Sequence, residues 1–146
     1  MNSTLPFLQF LQSSITPVAL ISGVGLLLLT ITNRLGRTID RTRQLVSELD
    51  NIYVLRRNEK LNEIKILYKR SRYLRNSIIF IVISIICSGF LIPILFFMNF
   101  FTVDLYIFGY LFFFISILSI LISSIYFFLD IVLTLKALKL EAKEYL

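Results

Sequence analysis

The sequence predicts an all-α fold: a helical integral membrane protein with three transmembrane helices and a long cytoplasmic helical hairpin between the first and the second. Three observations carry this expectation. The 146 residues are 57% hydrophobic with a mean hydropathy of +0.82, more apolar surface than a soluble domain of this size could hide. Twelve of the 15 Lys and Arg residues fall between Arg34 and Arg75, the others being Lys136, Lys139 and Lys143, and such clustering is first a topology signal. Between Arg37 and Ser88 there is neither Gly nor Pro, so nothing there demands a helix break.

The chain is expected to form a single membrane domain over 1–146. Residues 4–13 interleave Leu5, Phe7, Leu8, Phe10 and Leu11 with Gln9, Gln12 and Ser13, a pattern that fits a short interfacial helix. Residues 15–33 form the first span, completed at its outer end by Leu8 and Leu11. No cation precedes Arg34, so the cationic start of a cleaved signal peptide is missing and the segment is expected to be retained.

Residues 34–76 are the hairpin. Leu35, Ile39, Val46, Leu49 and Tyr53 make one apolar stripe, and Leu61, Ile64, Leu67 or Tyr68, Ser71 and Leu74 make a second. Two stripes at helical spacing predict two facing arms, with a turn near 55–58 capped by Asn58. Residues 77–98 form the second span, with Gly89 and Pro93 late in the run, where a kink is tolerable. A tight connection over 99–104 predicts that the second and third spans pair antiparallel. Phe96, Phe97, Phe100, Phe101 and Tyr106 around it suit an interfacial belt. Residues 105–133 are the third span and 134–146 a cytoplasmic tail. The positive-inside bias places the N-terminus outside and the C-terminus in the cytoplasm.

Polar residues on apolar helices supply the candidate site. Along the first span Thr16, Ala19, Gly23, Leu26, Thr30, Asn33, Arg37 and Asp40 follow one another at three- and four-residue steps. Small residues let helices approach and polar ones must face protein or water. The stripe therefore either packs against the chain's own second and third spans or forms a pore or oligomer seam. The third span carries Gly109, Ser116, Ser123 and Asp130 seven residues apart, with Ser119 beside them. Asp130, an intramembrane charge, is costly without a counter-charge. It is expected at the depth of Arg34 and Arg37, where a salt bridge would satisfy it, ion coordination or proton relay being the alternatives. Arg34, Lys69, Arg70, Arg72 and Arg75 form a basic patch at the level of anionic lipid headgroups.

Other chemistries lack support. Cys87 is the one cysteine and His is absent, so neither disulfide nor metal site is expected, and Cys87 is assigned to helix packing. No cofactor motif and no nucleophile–base pair can be placed, so no catalytic residue is assigned and no enzyme is expected. Cations flanking two spans point to lipid and away from nucleic acid.

The runs Thr16-Pro17-Val18, Ile21-Ser22-Gly23-Val24-Gly25-Leu26-Leu27-Leu28, Thr32-Asn33-Arg34-Leu35-Gly36-Arg37 and Asp40-Arg41-Thr42-Arg43-Gln44-Leu45 together resemble the DUF2721 family of bacterial membrane proteins, chiefly over residues 12–45. The resemblance implies a bacterial cytoplasmic (inner) membrane location and no assigned activity. Two functional classes fit the sequence. One is a non-enzymatic homo-oligomer forming a pore or ion channel lined by the first helix. The other is a membrane adaptor docking a cytoplasmic protein partner through the basic hairpin.

Overall fold

A computed structural model describes residues 4–49, 54–101 and 104–145. They form three helices: α1 (Thr4–Leu49), α2 (Val54–Phe101) and α3 (Tyr106–Tyr145). Each contains an apolar run long enough to cross a membrane, and the described residues are all-α. At about 1.5 Å per residue, every helix is far longer than a hydrocarbon core of roughly 30 Å.

The element boundaries differ from expectation in one direction: helices run on wherever nothing stops them. Residues 4–13 are the start of α1 and not a separate helix, and Pro17 lies inside it. Proline removes one hydrogen bond there, to the Ser13 carbonyl, a loss that an apolar helix among packed neighbours tolerates. The expected turn at 55–58 is already helix, because α2 begins at Val54. Asn58 is therefore not a cap, and its side chain lies outside the described residues. Residues 50–53, between α1 and α2, also lie outside the described residues. α2 likewise absorbs Asn99 and runs to Phe101. α3 continues through the expected tail to Tyr145, since Ala, Leu, Lys and Glu there favour helix.

Expected as one domain, the chain groups into two compact units, to which each helix contributes one segment: residues 1–28 with 79–122, and 29–78 with 123–146. In the first unit the buried residues are Pro17 and Val24 from α1, Ile81, Ser84, Cys87, Ser88 and Leu91 from α2, and Ser116 and Ser119 from α3. Serine hydroxyls join α2 to α3. Ser116 Oγ lies 2.9 Å from Ser84 Oγ and 2.7 Å from Ser88 Oγ, and Phe90 stacks on Phe112 at 5.4 Å. The two segments are thus antiparallel. Phe96 and Phe100, 4.7 Å apart, also meet Phe10 of α1 at 5.8 and 6.1 Å. The aromatic cluster expected around the connection thus gains a member from the first helix.

In the second unit the buried residues are Ile31, Thr38 and Leu45 of α1, Leu67, Leu74 and Ser77 of α2, and Ser123 and Asp130 of α3. The inward row of α1 is therefore Ile31, Thr38 and Leu45, whereas Ile39 and Val46 of the expected stripe are exposed. Thr38 can be buried because its hydroxyl donates to the Arg34 carbonyl at 2.9 Å, meeting its polar need inside the helix. On α2 the inward residue is Leu67, while Tyr68 is exposed. Among the described residues two ion pairs link the α1 and α2 segments: Arg41 with Glu63 at 3.3 Å and Lys60 with Glu48. The Lys60 hydrogen bond and charge hold the Glu48 carboxyl below its ordinary pKa.

Candidate functional site

Asp130 is fully buried in the second unit, and both carboxylate oxygens are engaged. Arg34 Nη2 donates to Oδ2 at 2.9 Å, and Arg70 Nε donates to Oδ1 at 3.1 Å. Three helices thus contribute one charged group each. A carboxylate in an apolar environment costs several kcal/mol unless paired and hydrogen-bonded, and here each oxygen has its own guanidinium. The Arg34 guanidinium also lies 5.2 Å from the centroid of the Phe127 ring, within cation–π range. On the α3 side, Thr134 Oγ1 donates to the Asp130 carbonyl at 2.8 Å.

Of the two cations expected near Asp130, Arg34 forms the pair and Arg37 does not. Arg37 Nε donates instead to the Asn33 carbonyl at 3.4 Å. Arg70 is the partner that sequence reasoning missed, having been grouped with the headgroup patch. The remaining members of that patch, Lys69, Arg72 and Arg75, are exposed.

Next to the triad, Ser77 and Ser123 bond reciprocally. Each hydroxyl reaches the other's backbone carbonyl at 2.9 Å, with the two oxygens 2.7 Å apart. Small side chains with internal polar partners are what close helix packing in lipid requires. Ser116, Ser123 and Asp130 of the third-span row are buried, and a side chain at Gly109 would come within 3.8 Å of Ile94.

The α1 stripe has the opposite placement. In the first unit Thr16, Ala19 and Gly23 are exposed, and in the second so are Thr30, Asn33, Arg37 and Asp40. The expectation that they pack against the chain's own second and third helices is not met. Gly23 has open space where a Cβ would stand, so intrachain packing does not require its small size. The inward positions are taken by Val24, Ile31, Thr38 and Leu45, whose seven-residue spacing continues the buried face of α1.

The model of a family described as protein of unknown function, DUF2721, matches residues 14–140. The chain belongs to the DUF2721 family. No curated relative and no solved structure matches it. The DUF2721 match extends well beyond residues 12–45, where the resemblance is densest, and includes Arg34, Arg70, Asp130, the serines and the whole α1 stripe.

Proposed function

We propose that this DUF2721 protein is a non-enzymatic membrane protein that associates with copies of itself through the exposed small and polar face of α1, and that the assembled first helices line a pore. The observation that carries the reading is the exposure of Thr16, Ala19, Gly23, Thr30, Asn33, Arg37 and Asp40 beside a helix face already buried by larger residues. Polar groups at membrane depth need protein or water, and small residues permit close helix approach. Three spans in one chain enclose no conduit of their own, so conduction calls for several copies. Cation clustering supports an orientation with the 34–76 arms and the C-terminus on the cytoplasmic side of a bacterial inner membrane.

The test is oligomeric state and ion flux on one protein. Detergent-solubilised particles are expected to show a symmetry axis, and liposomes containing them to pass ions under voltage or tension. Gly23→Leu is expected to yield folded single copies without flux. Single copies of the unaltered protein in both detergent and bilayer would reject the pore.

That last result would favour a second reading, a membrane adaptor docking a cytoplasmic protein. Its supporting observation is an open cavity of about 420 Å³ in the second unit, lined by Ile39, Val46 and Tyr68 among others. These three large residues are exposed, as an apolar docking patch would be.

A further inference from the structure

A second cavity in the second unit, about 340 Å³, is lined by Arg34, Arg37, Thr38, Arg41, Leu67 and Arg70. Four guanidiniums around one small space repel each other unless anions offset them. Among the described residues two carboxylates pair with them directly: Asp130 bonds Arg34 and Arg70, and Glu63 bonds Arg41. Four guanidiniums therefore share two direct carboxylate partners, and Arg37 has none.

Donor accounting points the same way. A guanidinium carries five N–H donors. Arg34 uses Nη2 and Arg70 uses Nε on Asp130, while Arg37 uses Nε on a backbone carbonyl. Arg41 reaches Gln44 and Glu63, both at 3.3 Å. Both terminal nitrogens of Arg37 and Nη1 of Arg34 thus lack a protein acceptor among the described residues. Asp130 fixes Arg34 and Arg70 at the cavity wall, so two of the four donors are already ordered before any anion arrives, which lowers the cost of binding one.

From this arrangement we infer that the cavity binds a phosphate-type oxyanion. A tetrahedral anion with several acceptor oxygens can bridge guanidiniums whose forks converge from two helices, and Arg is the side chain suited to that geometry. In the sequence Arg34 directly follows the first apolar run and Arg70 shortly precedes the second, so the oxyanion is supplied either by a phospholipid headgroup or by free phosphate. The site does not depend on self-association.

The full-length protein in a non-ionic detergent tests this, with native mass spectrometry against phosphatidylglycerol and phosphatidylcholine and calorimetry against inorganic phosphate at fixed ionic strength. Preferential retention of phosphatidylglycerol identifies the lipid source. Phosphate heat that is competed by neither lipid identifies the free anion. In either arm Arg37→Gln with Arg41→Gln is expected to weaken binding about tenfold, whereas Lys69→Gln with Arg72→Gln, exposed and outside the cavity, changes it less than about twofold. Gly23→Leu is expected to retain the ligand even as single copies. Should the double variant not fold by circular dichroism, Arg37→Lys and Arg41→Lys, which keep the charge and lose the fork, are each expected to weaken binding about threefold. The inference is overturned if the intact protein binds neither probe, if the outside pair matters as much as the cavity pair, or if the lysine variants bind as the intact protein does.

Discussion

Asp130 shows how much one side chain can demand of a helical membrane protein. Its carboxylate is fully buried and accepts from Arg34 and Arg70, so removing its charge leaves two guanidiniums facing one another. Asp130→Asn should therefore lower stability by about 3 kcal/mol, the scale for breaking a buried pair. Unfolding in detergent, followed by circular dichroism, measures it. The triple replacement Arg34→Met, Arg70→Leu and Asp130→Leu should recover most of that loss, because matched apolar side chains avoid the desolvation cost of all three charges. A triple variant no more stable than Asp130→Asn would show that the charges contribute more than mutual compensation. One of the triad's two ion pairs was legible in the sequence. An acidic residue on an apolar helix calls for a cation, and Arg34 was at hand. Arg70 was obscured by Lys69, Arg72 and Arg75, since a cluster of cations reads as a lipid-facing patch until the helix face of each member is known.

At the scale of the helix pair, the serines set how closely α2 and α3 approach. Ser116 Oγ meets Ser84 and Ser88 within the first unit, and there is no room for a longer side chain at a residue with no exposed surface. Ser116→Leu is expected to cost about 2 kcal/mol through overpacking, and Ser116→Ala under about 1 kcal/mol, the range for single polar contacts between membrane helices. Equal losses in the two variants, by the same unfolding measurement, would assign the effect to the hydroxyl and not to its volume. The α3 row was visible as a seven-residue spacing. Its partner row on α2, Arg70, Ser77 and Ser84, has the same spacing, but single serines in an Ile- and Phe-rich run disappear into average hydropathy. Helix ends are less legible for a related reason. Changes of polarity mark where a span ends, whereas the backbone responds to propensity and continues through them.

For the whole molecule, three apolar helices and the family were legible, because hydropathy and short motifs are local properties. The outward placement of the α1 stripe was not, since periodicity identifies a face without saying what covers it. The proposed orientation, with the 34–76 arms on the cytoplasmic side, is open to direct measurement. In a Cys87→Ser background, Asp104→Cys is expected to react with an impermeant maleimide added outside intact cells, and Lys65→Cys only after permeabilisation. The reverse pattern would invert the orientation, and reaction of both from outside would rule out a second span between them.

The triad also imposes a schedule on synthesis. Arg34 and Arg70 are separated from Asp130 by 96 and 60 residues, and the carboxylate lies on a helix that leaves the ribosome after both arginines. Until α3 is made, Arg34 and Arg70 lack their shared carboxylate, and the first two helices are joined in this unit by Arg41–Glu63 and Lys60–Glu48 without it. The third helix is thus the keystone of this unit, and a chain truncated before Asp130 should leave Arg34 and Arg70 uncompensated and become a substrate for quality-control proteases.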